Sequence, residues 1–194
     1  MLPGTYTVKL TVDGKTLTTK AEVRLDPRVS VSEADLKEQA RLALTLRDDI
    51  SRLARSVESL RAVKKQLDLQ IDLLKDQKEA ETLVKSARAL IRKLDEVEGR
   101  LHNPRAEVAY DILAQRGGAQ LYSQLALLYD FVMDGDGAPT QGMREMHAEH
   151  ARSLQARESE LKALLSGELG RYNEAAKKLA LPTVHVPAFE KPLR

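Results

Sequence analysis

A mainly α chain, an antiparallel helical bundle of long heptad-patterned helices behind an N-terminal β-hairpin, follows from three observations. Apolar residues recur at alternating spacings of four and three over long stretches. Only the first 25 residues alternate with period two. Charge is abundant but nearly cancelled, with 31 Lys and Arg against 29 Asp and Glu in 194 residues. Trp and Cys are absent, and Phe and Tyr number 2 and 5, so Leu and Ala must supply most of the buried surface. Without cysteine there is no disulfide framework, thiol nucleophile or thiolate metal site. The apolar runs fall far short of the roughly 20 residues a membrane span requires. Interleaved charges of both signs argue against a nucleic-acid footprint, which needs clustered, unpaired Lys and Arg.

Thr5 to Val12 alternates strictly, placing Tyr6, Val8, Leu10 and Val12 on one face and Thr5, Thr7, Lys9 and Thr11 on the other. Asp13-Gly14 tolerates the positive φ angles of a two-residue turn. The return strand, Lys15 to about Leu25, aligns Leu17, Ala21, Val23 and Leu25, and Asp26-Pro27 stops it. Two strands alone are marginal in water. The hairpin, residues 1–28, is therefore expected to be the end of a truncated β-sandwich whose other strands lie upstream or in a partner; packing on the helices is the alternative. The only other strand-like stretch is Thr183 to Val186.

Residues 29–181 read as the bundle. Ser32, followed by Glu33 and Asp35, opens a helix over about 33–75. Its seam runs Ala43, Leu46, Ile50, Leu53, Val57, Leu60, Lys64, Leu67, Ile71, Leu74, apolar except at Lys64. A second seam, Leu83, Ala87, Leu90, Leu94, Val97, Leu101, marks a helix over 80–102 and is out of phase with the first. The connection at 75–80 lacks Gly and Pro, leaving open a reversal, the preferred reading, or a continuous helix whose buried face rotates. Asn103-Pro104 ends the second helix. A short helix is expected over 105–116, before Gly117-Gly118. Another, over 119–134, carries Leu121, Leu125, Leu128 and Val132. Asp134-Gly135-Asp136-Gly137 is a loop, and Pro139 suits the first turn of a last helix, 140–180. That helix has an approximate stripe through Met143 or Met146, His150, Leu154, Arg157, Leu161, Leu164 or Leu165, Leu169, Tyr172, Ala176 and Leu179, weakened by Gly142, Gly167 and Gly170. Residues 182–194 form an extended tail containing Pro182, Pro187 and Pro192.

Few residues suggest chemistry. Glu145, His147, Glu149 and His150 lie within two turns, but they match no H-E-x-x-H or paired E-x-x-H pattern, and His102 and His185 are isolated. A solvated helix face is the expected reading. Asp134, Asp136 and Gly137 resemble part of a calcium loop, yet Met143 stands where the closing Glu is needed. Neither glycine-rich stretch has a P-loop lysine or a G-x-G-x-x-G spacing. Lys64, Lys65, Arg88, Arg92 and Lys93 alternate with acidic residues and are expected to pair on helix surfaces. No catalytic, cofactor-binding or metal-ligating residue is assigned, no cofactor is expected, and the chain itself is not expected to be an enzyme.

The stretch PGTYTVKLTVDGKTLTTKAEVRLDPRV, followed by SEADLKEQARLALTLRD and later by LYSQLALLYDFVMDGDGAPTQG and LPTV, resembles the C-terminal region of large bacterial BNR/Asp-box, sortilin-like β-propeller proteins often labelled glycosyl hydrolases. The likeness covers nearly the whole chain, with the hairpin and the DGDGAPT loop its most specific parts. It implies an upstream propeller and an Ig-like or fibronectin-like domain, the end of which would be this hairpin, and an extracytoplasmic location. Met1-Leu2-Pro3-Gly4 begins no signal peptide, so a signal would lie far upstream. The Asp-box pattern S-x-D-x-G-x-T-W is absent, so no propeller site residue carries over. The expected function is a noncatalytic structural and interaction region. Its partners would be the upstream domains of the same polypeptide, and a protein or a second copy meeting the bundle, with no nucleic acid and no membrane span. The rival readings are a free-standing helical adaptor that oligomerises through its heptad seams and a small enzyme with a site inside the bundle.

Overall fold

The computed structural model describes residues 2–105, 117–135 and 137–188. Strands β1 (Gly4–Val12) and β2 (Lys15–Val23) form an antiparallel hairpin. Among the described residues five α-helices follow: α1 (Glu33–Leu74), α2 (Glu81–Leu101), α3 (Leu121–Asp134), α4 (Gln141–Ala163) and α5 (Leu169–Lys178). The mainly helical class and the leading hairpin are as the sequence predicts.

The hairpin turns through Asp13 (φ 48°) and Gly14 (φ 75°), as a two-residue turn matched to strand twist requires. Tyr6 opposes Ala21, Val8 opposes Thr19 and Leu10 opposes Leu17. Tyr6, Val8, Leu10, Val12, Leu17, Ala21 and Val23 therefore share one face, and Thr7, Lys9, Thr11, Thr18 and Lys20 the other. Strand β2 stops two residues short of the expected Leu25. Asp26 accepts from the Arg28 backbone N–H at 2.9 Å and opens a turn there.

Helix α1 starts as expected: Ser32 Oγ accepts from the Asp35 N–H at 3.1 Å, and the Asp35 carboxylate accepts from the Ser32 N–H at 3.3 Å. At 42 residues it is about 63 Å long. A 3₁₀ turn, Lys78–Ala80, reverses the chain, so α2 runs back along α1. Of the two options left open at 75–80, the reversal is the one observed. Cross-links from Lys64 to Asp95 (2.5 Å) and Glu98 (2.7 Å), and from Arg61 to Glu98 (2.5 Å), require this antiparallel register.

The α2 seam is buried as expected, from Leu83 through Leu101. The α1 seam differs at three positions. Asp49, Val63 and Gln70 are buried where Ile50, Lys64 and Ile71 are expected, while Leu46, Leu53, Leu60, Leu67 and Leu74 keep the heptad; Asp49 and Gln70 are held inward by partners on α4 and α5, His147 and Tyr172. Lys64 lies beside the seam and turns its ammonium to two carboxylates. Burial alone would push the Glu98 carboxyl up, but hydrogen bonds from Lys64 and Arg61 outweigh it and hold the group below its usual range.

Helix α2 ends at Leu101. Asn103 then binds the Gly118 carbonyl (3.0 Å) and accepts from the Arg105 N–H (2.9 Å), tying the helix end to the glycine pair. Gly117 (φ 99°) and Gly118 (φ 69°) both take left-handed backbone, and a Cβ on Gly117 would press to 3.2 Å from the Asn103 amide. The helix expected over 105–116 falls on residues outside the described ones, except for Arg105, which lies in a turn.

Helix α3 packs on α1 and α4, and Gln39 of α1 donates to the Val132 carbonyl at 2.7 Å and to the Gly135 carbonyl, satisfying the α3 C-terminus. Thr140 caps α4, accepting from the Met143 N–H, so Pro139 precedes the cap rather than entering the first turn. The single helix expected over 140–180 is interrupted by a π turn, Leu164–Glu168. The cause is readable in the buried positions. Leu154 and Leu161 are seven apart and so are Leu169 and Ala176, but Leu161 and Leu169 are eight apart. A regular helix would turn Glu168 inward; one inserted residue returns Leu169, Tyr172 and Ala176 to the core. The core is otherwise one contiguous cluster of Leu, Val and Ala from all five helices, closed by Val184 of the tail.

Candidate functional site

Three places could do more than fill a core. The hairpin is the first. Val8, Leu10, Val12 and Leu17 are 49, 57, 56 and 70% exposed, and all lie on its apolar face. Nothing among the described residues covers that face, so the alternative of a hairpin packed on the helices is not observed.

The second is the α1–α4 junction, where the histidines singled out in the sequence fall. The solvated face expected for Glu145, His147, Glu149 and His150 holds only for the two glutamates. His147 Nε2 lies 2.9 Å from Asp49 Oδ2, and Asp49, itself buried, also accepts from Arg52 at 3.0 Å. Arg52 reaches across to Glu158 of α4 as well. His150 is buried, which pushes its pKa below the usual imidazole value. A small cleft beside His147 is lined by Glu38, Arg41, Thr45 and Arg144, with Arg144 paired to Glu38 at 2.9 Å. His147, Asp49, Arg52 and Glu158 thus form one chain of polar contacts across the junction, and Arg144 and Glu38 a separate pair. Among the described residues no group of three or more His, Asp and Glu is arranged to hold a metal ion.

His102 stands edge-on to Tyr122, with ring centroids 6.1 Å apart, and His185 lies in the tail. The calcium-like stretch is divided: Asp134 ends α3, Met143 lies in the first turn of α4, and Asp136 is outside the described residues. Of the basic residues, Lys64 and Lys93 pair with Asp95, Glu98 and Glu168, whereas Lys65, Arg88 and Arg92 are exposed.

The third place is the tail, for which the sequence predicts an extended segment with a strand-like stretch from Thr183 to Val186. Residues 181–188 are extended but belong to no sheet. Instead, side-chain amides take the part of neighbouring strands. Gln66 of α1 accepts from the His185 N–H (2.9 Å) and donates to the His185 carbonyl (2.8 Å). Asn173 of α5 does the same to Val184, at 2.9 and 3.0 Å. Successive residues of an extended chain point their polar groups to opposite sides, so one amide on each flank satisfies both. Gln70 donates to the Pro182 carbonyl at 2.7 Å and is fixed by the Tyr172 hydroxyl at 2.6 Å. Burial pushes the Tyr172 hydroxyl up to about 12, so it remains a donor at any ordinary pH.

No protein-family model, curated protein or solved structure matches the chain.

No described helix is long and apolar enough to cross a membrane. The one signal that could have pointed to the tail site is the eight-residue step from Leu161 to Leu169. It rotates α5 and brings Asn173 round to the tail.

Proposed function

We propose that this chain is a noncatalytic structural and interaction region, a helical bundle carrying a β-hairpin that completes a β-domain of a larger, extracytoplasmic BNR/Asp-box propeller protein. The observation that carries this reading is the uncovered apolar face of the hairpin, whose large side chains remain about half exposed or more. At roughly 25 cal/mol per Å², leaving several such residues in water forgoes a few kcal/mol that further strands would recover. The order of pieces that resembles the propeller proteins supports the same assignment, with this hairpin the last ribbon of a sandwich.

Within this reading the bundle is a spacer and a docking body. Its heptad seams favour that role over an adaptor that oligomerises through them: Leu46, Leu60, Leu67, Leu94 and Leu101 are fully buried within one copy, so the stripes are already filled. Ion pairs Arg52–Glu158, Lys93–Glu168 and Arg100–Glu160 hold α4 and the π turn to α1 and α2, favouring rigidity over an open cavity.

The test is the coding sequence immediately upstream of Met1. The proposal expects it to continue in frame through strand-forming segments into repeats of S-x-D-x-G-x-T-W. An in-frame stop followed by a ribosome-binding site just before Met1 would overturn it.

A further inference from the structure

We draw no further inference here: the strongest candidate, the groove of about 500 Å³ between α2 and α5 lined by Leu83, Leu90, Ala175 and Leu179, is an unpartnered apolar face, and nothing in the structure shows what covers it.

Discussion

The hairpin and the tail are both extended segments at the edge of a helical body, yet they satisfy their backbones in opposite ways. Among the described residues the hairpin pairs only with itself, and its outer edges and apolar face are left to solvent. The tail pairs with no strand, but Gln66, Gln70 and Asn173 supply its partners and Val184 is sunk in the core. Location in the bundle, not strand propensity, decides which extended segment is secured. Thr and Val make the hairpin the better strand former, and it is the one without a home.

Substitutions should separate the two regions sharply. Leu94 is fully buried in the α2 seam, and Leu94→Asp forces a carboxylate among leucines. We expect a loss of about 4 kcal/mol or more and collapse of helical circular dichroism. A melting temperature within a degree or two of wild type would mean that the seam is not packed as described.

A smaller effect is expected from pH. Burial, chiefly, holds His150 below its ordinary value near 6.5, and His102 is lowered for the same reason. In the unfolded chain these imidazoles take up protons near pH 6.5 that the folded chain does not. Their contribution to stability is therefore complete above about pH 6.5 and is lost as pH falls through the lower folded values. Urea midpoints should decline from pH 7.5 to 5.5, and His150→Leu should flatten part of that decline. A pH-independent midpoint in the wild type would contradict the burial of His150.

Least affected should be the hairpin substitution Leu17→Lys. With 70% of its surface already in water, Leu17 contributes nothing to the bundle, and stability should stay within about 0.5 kcal/mol of wild type. A larger loss would show that the ribbon packs on the helices after all.

What could be read beforehand follows the same division. The helix start at Ser32, the Asp13-Gly14 turn and the leucine seam of α2 are local signals, and each is found where its residues put it. Asp49 and Gln70 were missed because apolar spacing cannot register a polar residue that is buried with its partner, and those partners, His147 and Tyr172, lie 98 and 102 residues away. The tail clamp was invisible for the same reason, since amides such as Gln66 and Asn173 carry no periodic signal. The π turn is encoded in the eight-residue step from Leu161 to Leu169, but one extra step in an approximate stripe does not by itself distinguish a π turn from an irregular seam.

Amide hydrogen exchange on the whole chain tests the central claim most directly, because it reads ribbon, tail and bundle in one experiment. The account predicts that amides of Thr5–Val12 and Lys15–Val23 exchange orders of magnitude faster than those of α1 and α2, with Val184 and His185 protected well above the hairpin. Hairpin amides protected as strongly as the α1 core in the isolated chain would contradict it.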